Sequence, residues 1–416
     1  MSLSMAARLI QFSALASMAT MTNVTQSLPS LAYSCAQMQE NEAKAAKASG
    51  LEMWTLMSRA GQAAYHTLRV HLLQGTKPNH ITVLAGKGNN GGDGYVVAEA
   101  ALKDDINVLL GQVGDHMSLK GDAATARDRF LAAGGVITPI DDAFTIPDDT
   151  DAIVDGLFGT GLSREIRQGP FTRAIDLASK SKAKKLAIDI PSGLHGDTGN
   201  VLGTVLSADA TITFIGVKKG QFTGKAPQHV GILYFAGLGV EQAFDEIVSS
   251  PAAELVAFNR VRHRFMPLRP LAAHKAAFGK VVLLGGNNGM SGAIRLAGEA
   301  CQRTGSGLTR TLTHPASQQA VMFGRPELMV TAAQDVNAFS HWIDWATVLA
   351  VGPGLGQDDW AQGVLRLFLK HASKPSVVDA DALNLLAKSP QHNPHWVLTP
   401  HPGEAGRLLG IRCPCT

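Results

Sequence analysis

Asn89-Asn90-Gly91-Gly92-Asp93-Gly94 separates an apolar segment, residues 81–85, from a segment with helical spacing, residues 95–102. A strand and a helix joined by a glycine-rich connection are typical of a parallel α/β sheet. The glycines allow the backbone to approach a ligand closely, and the N–H groups at the start of the helix can bind an anion such as a phosphate. Because Asp93 adds a carboxylate beside that anion, the stretch predicts an enzyme that acts on a nucleotide-like molecule.

The same region also fits the dinucleotide-binding pattern G-x-G-x-x-G, over residues 86–91. That pattern needs an acidic residue about twenty positions further on, at the end of a second strand, to bind the ribose. The next apolar segment, residues 106–110, ends without an acid, and Asp115 comes late. A dehydrogenase is therefore the weaker interpretation.

The composition is that of a globular protein with two or three domains. The chain has 416 residues, of which 45% are hydrophobic and 17% are charged. Its net charge of +3 provides no basic surface for nucleic acid. Four cysteines are too few for a disulfide framework and favour a reducing compartment, so we expect a cytoplasmic protein.

The beginning of the chain differs from the rest. Arg8 is the only charged residue before Glu40, and polar residues interrupt the apolar segment 9–21. Such a segment is too short and too polar to span a membrane or to act as a secretory signal. We therefore expect a disordered leader over residues 1–31 and no membrane association.

Apolar segments alternate with helical segments through the remainder of the chain. This alternation predicts the α/β class, with mostly parallel sheets covered by helices on both faces. A stretch with scattered arginines marks a junction, so we expect two tandem domains, residues 32–245 and 270–416, joined by a linker over residues 246–269. The predicted strands are residues 81–85, 106–110, 152–154, 185–190, 211–215 and 232–235, then 280–284, 308–313, 347–351, 376–378 and 396–398.

Two further segments that combine an acid with glycines follow predicted strands. They are Asp155-Gly156-Leu157-Phe158-Gly159-Thr160-Gly161 and Asp189-Ile190-Pro191-Ser192-Gly193. An aspartate that caps a turn would explain one such segment, but three at the carboxyl ends of strands favour a binding site. Their carboxylates can act as general acids or bases, and with Asn90 and Ser192 they offer hard oxygen ligands to a cation.

Together with residues 211–218 (TITFIGVK), these three segments resemble the NAD(P)H-hydrate epimerase family over residues 32–245. The resemblance implies a Rossmann-like three-layer sandwich that binds the hydrated dinucleotide NAD(P)HX. It also implies a potassium ion bound by Asn90, Asp155 and Ser192. The residues that it implies as substrate contacts are Asn89, Asn90, Gly91, Gly92, Asp93, Gly159, Thr160, Gly161, Leu162, Ser163, Arg164, Glu165 and Asp189.

The substrate implied by this resemblance is a nicotinamide ring hydrated at C6, with a hydroxyl on the carbon next to the ring nitrogen. Protonation of that hydroxyl releases water and leaves an iminium ion that the ring nitrogen stabilises. Water can then add from either face of the ring. We therefore predict that Asp189 is the catalytic residue, acting as the principal acid and base.

The second half resembles the ADP-dependent NAD(P)H-hydrate dehydratase family. This resemblance implies a ribokinase-like fold, the cofactors ADP and Mg²⁺, and substrate contacts by Ala293, Gly354 and His401. Taken alone, His401 between two prolines would be an ordinary turn residue. The segments that carry the resemblance are residues 274–275, 285–295 (GGNNGMSGAIR), 352–356 (GPGLG), 379–384 (DADALN) and 399–404 (TPHPGE).

The dehydratase resemblance lacks two elements. One is a Lys-Gly-Ala-Gly-Thr-like segment that in that family binds the adenine nucleotide and has no counterpart in this sequence, and the other is a Gly-Asp pair. In that family a Gly-Asp pair at a helix start handles the substrate hydroxyl, and the helix start holds the phosphate. No segment of this sequence resembles that pair. We therefore expect the ribokinase-like domain to be incomplete and, alone, inactive as a dehydratase.

Two other functions stay open. The second domain has the fold type of a ribokinase-like small-molecule kinase, and the first could bind nucleotides without turnover. Asp93, Asp155 and Asp189 argue against a pure phosphate-binding protein, because carboxylates repel an anion. The expected partners are a small-molecule substrate and further copies of the chain, with no nucleic acid.

Overall fold

The computed structural model describes residues 24–266, 268–371 and 373–411, and the chain divides into two compact units, Met1–Met266 and Pro267–Thr416. Both are α/β units with parallel sheets, which confirms the predicted fold class. None of the helices in these ranges is long and apolar enough to cross a membrane.

The first unit is built on a parallel sheet. The strands of the unit are β1 (Leu31–Tyr33), β2 (His80–Ala85), β3 (Asn107–Gln112), β4 (Ile137–Pro139), β5 (Ala152–Gly156), β6 (Lys184–Ile188), β7 (Ala210–Phe214), β8 (Val217–Lys218), β9 (Ile232–Ala236) and β10 (Ala253–Glu254). Its helices are α1 (Cys35–Ala48), α2 (Met53–His66), α3 (Asn89–Lys103), α4 (Gly121–Ala132), α5 (Pro170–Lys180), α6 (Glu241–Ile247) and α7 (Phe258–Phe265), and a π-helical turn, Thr67–Leu72, continues α2. The spatial order of the main sheet is β4-β3-β2-β5-β6-β7-β9.

Neighbouring residues on the central strands point to opposite faces of this sheet, as the two-residue period of a strand requires. Val83 and Val154 lie in one buried cluster with residues of helices α1 to α4. Leu84 and Ile153 lie in a second cluster with the α5 residue Ile175. Helices therefore cover both faces, as the Rossmann-like three-layer sandwich predicts.

The glycine-rich stretch is part of helix α3, which begins at Asn89 and not near Tyr95 as the sequence had indicated. A Cβ on Gly91 would lie 2.2 Å from the Gly86 carbonyl oxygen, and one on Gly92 would lie 2.7 Å from the Met57 sulfur. The glycines are thus required by close packing around the first turns of α3. They bring the start of the helix against the end of β2.

The predicted leader and linker need correction. Residues 1–23 of the leader lie outside the described residues, but Thr25 exchanges two backbone hydrogen bonds with Phe235, at 3.0 and 2.8 Å. Strand β1 pairs with β10 and β8 in a small second sheet. Residues 24–31 therefore have defined structure, and residues 246–266 of the predicted linker belong to the first unit. The physical reason is backbone pairing: Thr25 bonds to the edge strand β9 of the main sheet, and β1 and β10 satisfy one another's backbone groups in the small sheet.

The second unit has a parallel sheet of its own. Its strands are β11 (Lys280–Leu284), β12 (Leu308–Thr313), β13 (Met329–Ala332), β14 (Val348–Val351), β15 (Ser376–Val378) and β16 (Trp396–Leu398), in the order β13-β12-β11-β14-β15-β16. Its helices are α8 (Ser291–Arg303), α9 (Gln318–Met322), α10 (Ser340–Trp345), α11 (Asp359–Leu369), α12 (Ala380–Leu386) and α13 (Pro402–Leu409). One face packs on Val364 and Phe368 of α11, and the other packs on Ile294 of α8.

Candidate functional site

A cavity of about 610 Å³ lies at the carboxyl ends of β2, β5, β6 and β7 in the first unit. The three segments that combine an acid with glycines follow β2, β5 and β6, which are adjacent in the sheet, so all three reach this cavity. The predicted site residues that line it are Asn89, Asn90, Asp93, Gly159, Thr160, Gly161, Leu162, Arg164 and Asp189.

Other predicted contacts lie elsewhere. Gly91 and Gly92 are buried within α3, where they allow close packing and do not line the cavity. Ser163 and Glu165 are exposed outside the cavity lining. The Glu165 carboxylate lies 3.7 Å from the Arg167 guanidinium.

Asp155, Ser192 and Asn90 are joined by hydrogen bonds below the cavity. The Ser192 hydroxyl and backbone N–H donate to the Asp155 carboxylate at 2.6 and 2.8 Å. The Phe158 N–H donates to the Ser192 hydroxyl at 3.0 Å, and the Asn90 amide donates to the Phe158 carbonyl at 2.7 Å. The backbone of Phe158 therefore links the three residues that were predicted to hold a cation.

The chemistry of this group suits a hard cation. Asp155 and Ser192 are fully buried. Burial raises the pKa of Asp155 to about 6, against the hydrogen bonds from Ser192 and Leu157, which lower it. A carboxylate, an amide oxygen and a hydroxyl are oxygen donors of the kind that K⁺, Mg²⁺ and Ca²⁺ bind. The described residues contain no cluster of three or more His, Cys, Asp or Glu that could hold a metal.

Asp189 lies at the end of β6 and forms an ion pair with Lys218, which follows β7 on strand β8. Lys218 is 2% exposed, and its ammonium group also donates to the Thr213 hydroxyl at 3.0 Å and the Phe214 carbonyl at 3.1 Å. The Thr213 hydroxyl donates to the Asp189 carboxylate at 3.1 Å. Asp189 has φ +64°, which is uncommon for a residue with a side chain and is tolerated by Asp and Asn.

Two more carboxylates, Glu42 of α1 and Asp93 of α3, line the cavity. Burial, and then the negative charge of Asp189, raise the pKa of Glu42. Burial, and then the charges of Glu42 and Asp189, raise the pKa of Asp93 well above its usual range. Lys218 opposes both shifts. The pKa values of both acids are therefore shifted in the direction that favours the protonated form, and acids with perturbed pKa values are common at catalytic sites.

The position that would identify a dinucleotide-binding dehydrogenase is occupied by Gln112, at the end of β3. Its buried amide donates to the Gly86 carbonyl at 3.1 Å and accepts from the Tyr95 hydroxyl at 2.8 Å. No carboxylate for a ribose is provided at this strand end. The G-x-G-x-x-G match therefore reflects the tight β2–α3 connection.

In the second unit, Ala293 and Gly354 lie together. Gly354 has φ +60°, and a Cβ on it would lie 3.2 Å from the Ala293 Cβ. The Asn287 N–H donates to the Gly354 carbonyl at 2.7 Å, which fixes the connection after β14 against the connection after β11.

His401 begins helix α13, after β16. Its Nδ1 accepts from the Gly403 N–H at 3.0 Å, and the Glu404 carboxylate accepts from the His401 N–H at 2.9 Å, so the two side chains form a capping box. The His401 side chain is 61% exposed. Its first role is therefore structural, while the exposed ring can still contact a ligand at this edge of the sheet.

Both halves of the chain match known families. Residues 54–220 match the model of the YjeF-related protein N-terminus, and residues 281–413 match the model of NAD(P)H-hydrate dehydratase. The bifunctional NAD(P)H-hydrate repair enzyme Nnr of Vibrio cholerae is 40% identical over 384 residues, which cover 92% of this chain and 76% of the relative. The enzyme of the same name from Escherichia coli is 41% identical over 394 residues, covering 94% and 74%.

The chain belongs to the bifunctional NAD(P)H-hydrate repair enzymes. The two matched regions lie in the two compact units, one family domain in each. Among solved structures, the ADP/ATP-dependent NAD(P)H-hydrate dehydratase of Bacillus subtilis, crystallised with ATP and Mg²⁺, is 30% identical, with a TM-score of 0.31. The match covers 37% of this chain and 55% of that one.

Two residues of the cavity in this member of the repair-enzyme family, Glu42 and Lys218, were not predicted from the sequence. Lys218 carried a signal, because it is the one charged residue at the end of the apolar segment 211–218 and a buried lysine needs a partner. Glu42 carried none, because α1 has several charged residues and only its packing turns Glu42 towards the cavity.

Proposed function

We propose that the first unit interconverts the R and S epimers of NAD(P)HX in the cavity at the end of its sheet. The observation that carries this proposal is the Asp189–Lys218 ion pair in the same cavity as the start of α3. The exposed N–H groups of a helix start suit a pyrophosphate, and a carboxylate suits acid and base catalysis at a ring hydroxyl.

Each residue of the cavity has its own role in the proposed epimerisation. Asn89 and Asn90 at the start of α3 bind the dinucleotide, and Arg164 on the cavity wall adds a positive charge for its phosphates. Asp189 takes up and returns the proton at the C6 hydroxyl. Lys218 holds the Asp189 carboxylate in place, since a buried ion pair with further hydrogen bonds has little freedom to move.

Potassium is the cation that we propose for Asn90, Asp155 and Ser192. When bound, the ion supplies a fixed positive charge close to the substrate phosphates. The residues themselves fix the position of Phe158, whose backbone connects Asn90 to Ser192 and whose side chain lines the cavity.

For the second unit we propose the role of its family, dehydration of S-NAD(P)HX with ADP and Mg²⁺, with Ala293, Gly354 and His401 as substrate contacts. The match of residues 281–413 to the dehydratase family supports this assignment. That this unit alone is inactive, because it lacks the Gly-Asp pair, stays a prediction from the sequence. The cytoplasmic location and the homo-oligomeric state stay predictions from the sequence.

The test is chromatographic. Purified chain is incubated in potassium buffer with R-enriched NADHX, with and without ADP, and both epimers and NADH are followed. Conversion of R to S without ADP, above the spontaneous rate, supports the epimerase. NADH formed only with ADP supports the dehydratase. No change in either epimer would contradict the epimerase and leave a nucleotide-binding protein.

The matched variants are Asp189→Asn and Asp105→Asn. Both residues have positive φ, +64° and +53°, and Asn tolerates this conformation, so neither substitution strains the backbone. Asp105 is exposed and lies outside the cavity lining. Asp189→Asn should abolish epimerisation while Asp105→Asn preserves it. A fully active Asp189→Asn variant would overturn the role of Asp189.

A further inference from the structure

Glu42 and Asp93 differ from the other carboxylates of the cavity in having no partner. Asp155 accepts hydrogen bonds from Ser192 and Leu157, and Asp189 is paired with Lys218. Within the described part of the chain, the carboxylates of Glu42 and Asp93 accept no hydrogen bond and form no ion pair with protein groups. Asp93 is buried and Glu42 is half-buried, and both line the cavity, so their carboxylates are available to a bound ligand.

A second, smaller cavity of about 50 Å³ lies behind this pair. Glu42, Asp93 and Asn89 line both cavities, together with Phe214 and Ile215 from the end of β7. The rest of its wall comes from the apolar residues Met53, Leu56, Met57, Ala60 and Leu238 and from a third carboxylate, Asp122 of α4. Its volume suits one or two water molecules, at about 30 Å³ each. The three carboxyl groups at its boundary can supply the hydrogen bonds that such waters need.

Epimerisation by loss and return of water needs proton transfer on both faces of C6. On one face an acid protonates the hydroxyl, the C–O bond breaks with its electron pair leaving as water, and the nitrogen lone pair forms the iminium. On the opposite face a water lone pair attacks C6, the iminium electrons return to nitrogen, and a base takes the water proton. One carboxyl loses a proton and the other gains one, so a single acid at Asp189 serves only one face.

We propose that Glu42 and Asp93 are the acid and base for the second face of C6, with the small cavity as the site of the water that leaves and returns. The inference rests on the proposed epimerase function and adds Glu42, from α1, to its catalytic residues. Two carboxyl groups near one another do not both ionise easily, so the pair can share one proton, which is the state an acid needs. The raised pKa values of both groups agree with this arrangement.

The test follows an oxygen-18 label in the C6 hydroxyl of each separated epimer, with the full chain in unlabelled water. Wild-type protein should invert both epimers and release label from both. Glu42→Gln should lose inversion by at least about 100-fold and still exchange label from one epimer, whose hydroxyl faces Asp189. Asp189→Asn should exchange label only from the other epimer.

Each contrary result has one meaning. If Glu42→Gln exchanges both epimers at the wild-type rate, or loses both equally, Glu42 is not the acid of one face. If wild-type protein neither inverts nor exchanges, the proposed function fails and not merely this inference. Glu40→Gln, on the same helix but exposed, is the matched control and should behave as wild type. Gln keeps the shape of Glu42, which has no hydrogen bond to lose, so thermal unfolding of the variant should match wild type.

Discussion

The ammonium group of Lys218, on a side chain that is 2% exposed, donates directly to the carboxylate of Asp189. Each charge is buried because the other is present, and Thr213 and the Phe214 carbonyl satisfy the remaining donors of the lysine. The pair connects the end of β6 to β8, the strand that follows β7, so the proposed catalysis and the stability of this end of the sheet depend on the same contact.

Lys218→Met should therefore affect both properties. Removal of one partner leaves Asp189 as an uncompensated charge, which costs about 3–5 kcal/mol of the free energy of unfolding. The rate of epimerisation should also fall, because the Asp189 carboxylate loses its fixed position. Urea unfolding and the epimer assay measure the two effects. Lys225→Met, at an exposed lysine on a nearby turn, is the control, and equal losses in both variants would contradict a special role for Lys218.

Gly91→Ala should destabilise the first unit by about 3 kcal/mol. The new Cβ would lie 2.2 Å from the Gly86 carbonyl oxygen, which is backbone and cannot move aside. Gly88→Ala is the comparison, because a Cβ at Gly88 meets nothing within 4 Å and its φ is −103°. The urea midpoint should fall for Gly91→Ala and stay close to wild type for Gly88→Ala. The reverse order would show that the packing of α3 on β2 is not what requires glycine.

Acid pH should lower the free energy of unfolding of the first unit through two histidines, His66 and His71. Burial lowers the pKa of His66 and of His71, whose rings lie 5.6 Å apart, and the His71 ring stacks on Tyr234 at 4.7 Å. Because the folded protein binds these protons more weakly than the unfolded chain, the free energy of unfolding decreases as the pH falls below about 6.5.

His71→Phe tests this pH dependence. The phenyl ring can stack on Tyr234 and cannot be protonated, so stability at pH 7 should be kept and the loss at acid pH reduced. Urea midpoints between pH 5 and 8 measure the difference. An unchanged dependence on pH would assign the acid sensitivity to other groups.

Potassium should raise the thermal midpoint of the first unit relative to choline, because an ion that binds only the folded state stabilises it. Ser192→Ala removes one of the proposed oxygen ligands and the hydrogen bond to Asp155, and loss of that bond costs about 1–3 kcal/mol. The variant should also lose most of the potassium-dependent increase. A variant that responds to potassium like wild type would exclude Ser192 as a ligand.

Several strands were predicted well from the sequence. The bounds of β11, β12, β15 and β16 agree with the predicted segments at both ends, and most of their residues are β-branched, aromatic or other apolar residues, which favour strands. The short strands β1, β4, β8, β10 and β13 were missed. Length alone does not explain this, because β15 and β16 are equally short. The pairing of β1, β8 and β10 depends on contacts between segments far apart in the chain, which a local pattern does not show.

The residues of the candidate site were also predicted only in part. Asp155 and Asp189 were predicted because they follow strands whose order in the sheet brings their ends together. Glu42 was not, because α1 lies far away along the chain and reaches the cavity only through tertiary packing. The interior position of Gly91 and Gly92 was also missed, since a glycine-rich segment is more often a loop than a helix.

The position of these glycines has a consequence for the order of folding. Gly91, Gly92 and Gly94 stand within the first six residues of α3, and each is about 1 kcal/mol less favourable in a helix than alanine. This end of the helix has little stability by itself, so we expect it to form only after α2 and the end of β2 are in place. The amide groups that would hold the phosphates should therefore gain protection from hydrogen exchange last. We therefore expect the sheet to form before the binding site during folding.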